Sequence, residues 1–116
     1  MPRRNDDRLY LAQMLDMARK IIAKTEELPR GRYDSDENLR LAVLHLAQII
    51  GEAASRVSAA GRSAHPDIPW KAITGMRNRI VHDYINVDFG LLYDIATKDI
   101  PALARTLENL DLPEDL

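Results

Sequence analysis

Apolar residues recur at intervals of three and four along nearly the whole chain, and that period commits it to helices. Leu11, Leu15, Ala18 and Ile22 fall at spacings of four, three and four, one face of a helix with 3.6 residues per turn. Met14 and Ile21 widen the stripe, and Pro29 and Gly31 stop it. The spacing predicts a helix near 6–27, with Asn5 or Asp6 accepting a hydrogen bond from an early backbone N–H as its cap. Leu39, Val43, Leu46, Ile50, Ala53 and Val57 form a second, longer stripe. Ser35 or Asp34 is the expected cap there, Asp36 and Glu37 suit the positive end of the helix dipole, and Gly61 is the expected stop. The opposite ridge of this helix carries His45, Gln48, Glu52 and Arg56.

Pro66 and Pro69 break the chain at HPDIPW, because a proline inside a helix removes a donor and clashes with the preceding turn. A third helix is predicted over about 69–83. Its stripe runs Trp70, Ile73, Arg77, Ile80, Tyr84, which puts Arg77 on the apolar face, a costly place for a guanidinium without a partner or a cleft. Asp88 is a good cap for a last segment in which Leu92, Ile95, Ala96, Leu103, Leu107 and Leu110 keep the helical period. Pro101 predicts a kink or two shorter helices there. No alternating pattern of strand length, internal repeat or low-complexity linker is present. The expectation is an all-α, up-and-down bundle of four or five helices forming one domain over 1–116.

With 46% apolar residues in 116, a core can form without disulfide or metal support. There is no cysteine, so a thiol nucleophile, a cysteine-based zinc site and a disulfide framework are excluded. Asp6, Asp7, Arg8, Gln13 and Asp16 interrupt any signal-peptide core. No run of about 18 apolar residues offers a membrane span. These features predict a cytoplasmic protein without a membrane partner. The net charge of −2 argues against a protein that coats nucleic acid, though a local basic cleft built from Arg56, Arg62, Arg77 and Arg79 remains open.

Several motifs fail. DSDEN at 34–38 starts like a calcium loop, but Leu39 stands where glycine is needed and His45 where the bidentate glutamate belongs. His45, His65 and His82 do not form a zinc helix of the HExxH kind, and no glycine-rich phosphate loop precedes a helix.

The octet RNRIVHDY at 77–84 is different. Arginine there is ordinary in a helix, and a histidine near a helix C-terminus satisfies the dipole. Yet the same residues suit chemistry on an RNA phosphate. RNA carries its own nucleophile, the 2′-hydroxyl. Histidine titrates near neutral pH and can move the protons. Arginine stays charged and holds a phosphate through two hydrogen bonds. Neither metal nor cofactor is needed. Residues five apart lie about 140° apart around an ideal helix, so Arg77 and His82 do not stack. Either the helix ends near His82 and swings it round, or a second protomer brings its own copy opposite. Asn78 is placed to orient a phosphate or the imidazole, and Tyr84 to stack on a base or accept a modification.

Arg77, four residues, His82, one residue, Tyr84 resembles the Arg-x4-His-x-Tyr motif of the HepT toxins of the HEPN superfamily. LHLAQIIGEAASRVS, DIPWKAITGMRNRIVHDY and YDIATKDIPAL resemble the same chains in the same order, over about residues 8 to 110. The resemblance implies a homodimeric helical bundle with the motif in a cleft between protomers. It implies a metal-independent RNase that is the toxin of a bacterial type VII toxin–antitoxin pair. The partner it implies is a MntA-type nucleotidyltransferase antitoxin that transfers AMP from ATP onto the motif tyrosine. Carried over, Arg77 and His82 form the catalytic pair, Asn78 and Glu52 support it, and Tyr84 is adenylylated. A phosphodiester and a base added beside His82 would repel and block RNA. Whether tRNA or mRNA is cut stays open. The rival expectation is a non-catalytic helical module that binds a nucleotidyltransferase, or the antidote of the pair.

Overall fold

In a computed structural model that describes residues 4–82 and 86–113, the chain is all-helical. The order is α1 (Arg4–Thr25), α2 (Arg30–Asp34), α3 (Glu37–Arg56), α4 (Ala59–Ala64), α5 (Trp70–Thr74), α6 (Met76–Ile80) and α7 (Phe89–Asp94). A π-helical turn (Ile95–Asp99) and α8 (Ile100–Glu108) follow. No helix among the described residues is long and apolar enough to cross a membrane.

The core lies where the two long stripes meet. α1 packs on α3 along one side and on α8 along another, while α5 and α6 rest on α3. Leu11, Met14, Ala18 and Ile21 of α1 and Val43, Ile50 and Ala53 of α3 are buried, as the spacing requires. Leu92, Ile95, Ala96, Leu103 and Leu107 close the core from the C-terminal side.

The boundaries differ from expectation in ways that have local causes. α1 as described starts at Arg4 and already includes Asn5 and Asp6, so the position ahead of the helix belongs to neither. Asp7 in its first turn reaches instead to the Ser58 backbone N–H at 2.8 Å and the Ser58 hydroxyl at 2.5 Å. The cap of α3 is Asp36, whose carboxylate accepts from the Leu39 N–H at 3.0 Å, not Ser35 or Asp34. Those two finish α2, a five-residue helix too short to show a period. α3 ends at Arg56, and Ser58 caps a new helix. Gly61 lies inside α4 rather than stopping α3. A Cβ there would fall 2.5 Å from an Asp7 carboxylate oxygen, so the missing side chain is what admits Asp7.

The last segment divides into two shorter helices, α7 and α8, joined by the π-helical turn. The Ile100 N–H donates to the Ile95 carbonyl, five residues back, and the proline follows in the first turn of α8, where its missing N–H costs nothing.

Candidate active site

The octet straddles the end of a helix. The helix expected over 69–83 is two short ones separated at Gly75, which has φ −90° and ψ 0°. α6 stops at Ile80, and Val81 is extended at φ −105° and ψ 109°. From there the chain reverses. Val81 pairs antiparallel with Val87, the His82 N–H donates to the Asn86 carbonyl at 2.8 Å, and the Asp88 N–H donates to the Ile80 carbonyl at 2.7 Å. His82 therefore leaves the helix, but the turn does not bring it to Arg77 within one chain.

Arg77 is exposed, not buried on an apolar face. The break at Gly75 hands the inward position to Met76, so the buried set is Ile73, Met76 and Ile80. A five-residue helix needs such anchors, since helices this short are not stable alone. Arg77, Asn78, Arg79 and His82 are then all turned to the surface. Among the described residues Arg77 and His82 have no side-chain hydrogen bond or ion pair.

Arg77 lines a cleft of about 280 Å³ with Gln48, Glu52, Ser55 and Thr74, floored by Ala47, Met76 and Ile80. The polar ridge read on α3 is one wall of this cleft: Gln48 and Glu52 belong to it, while Arg56 lies outside. Glu52 thus shares a recess with Arg77 without an ion pair forming between them. His82 faces a different recess, an open depression lined by Asn86, Val87 and Asp88. Asn78 lines neither. Arg79, two residues and about 200° round from Arg77, lines a third cleft of about 390 Å³ against Asp67, Asp99 and Thr106. Arg62 is held by the Val57 carbonyl at 3.1 Å. The four arginines therefore do not converge in one cleft of a single chain. Tyr84 lies outside the described residues.

Sequence reasoning missed the group that fixes the far side of the reversal. Tyr33 is fully buried, and its hydroxyl donates to the Phe89 carbonyl at 2.8 Å. Its ring lies 4.9 Å from that of Tyr93, whose hydroxyl donates to the Leu28 carbonyl at 2.8 Å. The Arg40 guanidinium sits 5.4 Å from the centre of the Phe89 ring and donates to the carbonyls of Tyr33, at 3.1 Å, and Asp34. Burial pushes the Tyr33 phenol up to about 12, against the nearby charges of Arg40 and Arg30. Nothing in RGRYD marks Tyr33 as buried, because α2 is too short for a stripe. Asp88 was legible as a cap, and its carboxylate does accept from the Leu91 N–H at 2.9 Å.

The sequence profile of a family described as Ribonuclease HepT-like matches residues 14–110. A protein of Methanocaldococcus jannaschii named "Putative RNase" is 30% identical over 105 residues, covering 90% of this chain and 96% of its own. One of Thermococcus cleftensis named "Probable ribonuclease HepT" is 31% identical over 101 residues, 87% of this chain and 92% of its own. A "Putative RNase" of Caldanaerobacter subterraneus is 28% identical over 103 residues, 89% and 92% of the two chains. No solved structure matches the chain.

Proposed function

The chain belongs to the HepT-like ribonuclease family, and from that premise we propose that it cuts RNA with Arg77 and His82 as the catalytic pair. The observation that carries this reading is the end of α6 at Ile80, which leaves an exposed guanidinium and an exposed imidazole on either side of one helix terminus. Arg77 neutralises charge on the phosphoryl oxygens, Glu52 steers the guanidinium from the opposite wall of the cleft, and Asn78 orients the phosphate.

In the step itself, an imidazole takes the proton of the 2′-hydroxyl, whose oxygen bonds to phosphorus. The bond from phosphorus to the 5′-oxygen breaks, and that oxygen receives a proton. Arg77 and His82 line separate recesses within one chain. A homodimer solves this: two copies of α6 facing each other supply two arginines and two histidines to one groove, one imidazole as base and one as acid.

The same reading makes the chain, as one domain over 1–116, the cytoplasmic toxin of a type VII toxin–antitoxin pair. A MntA-type nucleotidyltransferase silences it by adding AMP to Tyr84. A rival reading, a non-catalytic module that binds the nucleotidyltransferase, is favoured by the separation of the two recesses.

Incubating purified, unmodified protein with total RNA in chelator separates the two. The nuclease reading expects fragments from the parent and none from His82→Ala or Arg77→Ala. RNA left whole by a parent that still binds its nucleotidyltransferase would favour the module. Mass spectrometry of the co-expressed pair should show AMP adducts that disappear in Tyr84→Phe.

A further inference from the structure

The cleft that Arg77 lines holds more acceptors than a phosphate site needs. α5 lies close on α3 at Gly51, where a Cβ would fall 3.4 Å from the Ile73 carbonyl, and the bare glycine leaves the recess beside it open. Ligand pockets begin at roughly 300 Å³, so a cleft of about 280 Å³ suits one small planar group rather than a stretch of chain. Its floor is apolar, made by Leu44, Ala47, Met76 and Ile80. The face of a ring can lie there without stranding a polar atom, and the Met76 sulfur is a favourable neighbour for it.

The walls sort by what their protons already do. The Ser55 hydroxyl donates to the Glu52 carbonyl at 2.7 Å, and the Thr74 hydroxyl donates to the Trp70 carbonyl at 2.9 Å. Each has used its one proton, so each serves the cleft only as an acceptor. The Glu52 carboxylate is exposed and has no hydrogen bond or ion pair among the described residues. The Gln48 amide, one turn back on α3, has no hydrogen bond among them either, and it can both donate and accept. Arg77, from α6, only donates.

A single-stranded RNA base is read through its edge. Guanine carries two adjacent donors there, N1–H and the N2 amino group, which match the two oxygens of a carboxylate. Its O6 beside them accepts from an amide N–H. Adenine and cytosine each offer one amino group and set a ring-nitrogen acceptor against the second carboxylate oxygen. Uracil flanks its one N–H with two carbonyls, which a carboxylate repels.

We propose that this cleft is a guanine subsite, with Glu52 taking the N1 and N2 donors, Gln48 the O6 acceptor, and Arg77 the phosphate next to that nucleotide. This rests on the reading of the chain as a nuclease that cuts RNA beside Arg77. It gives Glu52 a task distinct from steering the guanidinium. Steering acts on every cut alike, whereas base reading decides which cuts are made.

The first test is titration of the full chain with GMP, UMP and inosine monophosphate, which lacks the N2 amino group, followed by NMR through the backbone amides of α3 and α6. GMP is expected to bind roughly 5- to 100-fold more tightly than UMP, with inosine monophosphate between them. Glu52→Gln, at an exposed position, should erase the difference, and Arg77→Ala should weaken all three alike. The second test is sequencing of the ends cut from a random pool of RNA. Guanosine should stand next to most cuts of the parent, and that bias should vanish in Glu52→Gln. Nucleotides that bind with equal strength overturn the proposal. So does a guanosine bias that survives in Glu52→Gln, or a variant in which all cuts slow equally. Selective GMP binding by a parent that leaves RNA whole keeps the subsite and overturns the nuclease reading instead.

Discussion

The α1–α3 pair and the stretch from Trp70 to Asp88 treat the same kinds of residue in opposite ways. α1 runs 22 residues and α3 runs 20, and every turn of their contact buries aliphatic side chains: Met14, Ile21, Val43 and Ile50 are wholly inaccessible. The later stretch makes two helices of five residues each. Among its described residues Ile73, Met76 and Ile80 are buried, Trp70, Val81 and Val87 pack partly against the core, and Arg77, Asn78, Arg79 and His82 are exposed. Long helices repay the cost of nucleation through their own packing; short ones exist only because a preformed surface receives their anchors. Stability is thus concentrated in the first region, and the second is free to expose arginine and histidine, so substitutions in the two should have separable consequences.

The largest test of that separation is in the second region. Arg77→Ala and His82→Ala should each lower cleavage of a labelled RNA by about 10²- to 10⁴-fold, while thermal melting moves by no more than a few degrees. A large fall in melting temperature would break the comparison, because it would make these residues structural.

The counterpart is Ile21→Ala in α1. Truncating a fully buried isoleucine should cost about 2–5 kcal/mol in urea unfolding, with cleavage per folded molecule unchanged. If activity of the folded fraction falls by more than tenfold, the core also sets site geometry.

Tyr33→Phe probes the seam between the regions and should cost about 0.5–1.5 kcal/mol through the lost bond to the Phe89 carbonyl. It also has a pH signature. Because the folded-state phenol is raised to about 12, above the usual tyrosine value of about 10, its contribution is intact below pH 10. That contribution is lost as pH rises through 12, where the unfolded chain ionises first. Absorbance titration at alkaline pH should show one late tyrosine that disappears in the variant. The smallest effect belongs to Arg19→Ala. Arg19 and Glu108 pair at 3.1 Å with both side chains roughly half exposed, so unfolding should change by under about 1 kcal/mol and cleavage not at all.

Much of the molecule was legible because burial follows period in long helices. The period points Leu11, Leu15 and Ala18, Val43, Ile50 and Val57, and Leu92, Leu103 and Leu107 inward, and all are buried. Asp88 reads as a cap in the sequence and caps α7. Errors collected where segments are short. Nothing in RGRYD marks Tyr33 as core, Ser35 and Asp34 offer a cap as good as Asp36, and a stripe that runs through Gly75 puts Arg77 on the wrong face.

By itself the sequence determined the helical class, the core-facing stripes and the family, through a period that local sterics impose wherever a helix is long enough to repeat. Tertiary structure alone decided that Gly75 divides the motif helix and that Arg77 shares its cleft with Glu52. It also decided that His82 turns away beside Asp88. A five-residue helix has too few turns to express a period, so contacts with α3 and the Tyr33–Phe89 clamp choose its limits and the direction of each side chain.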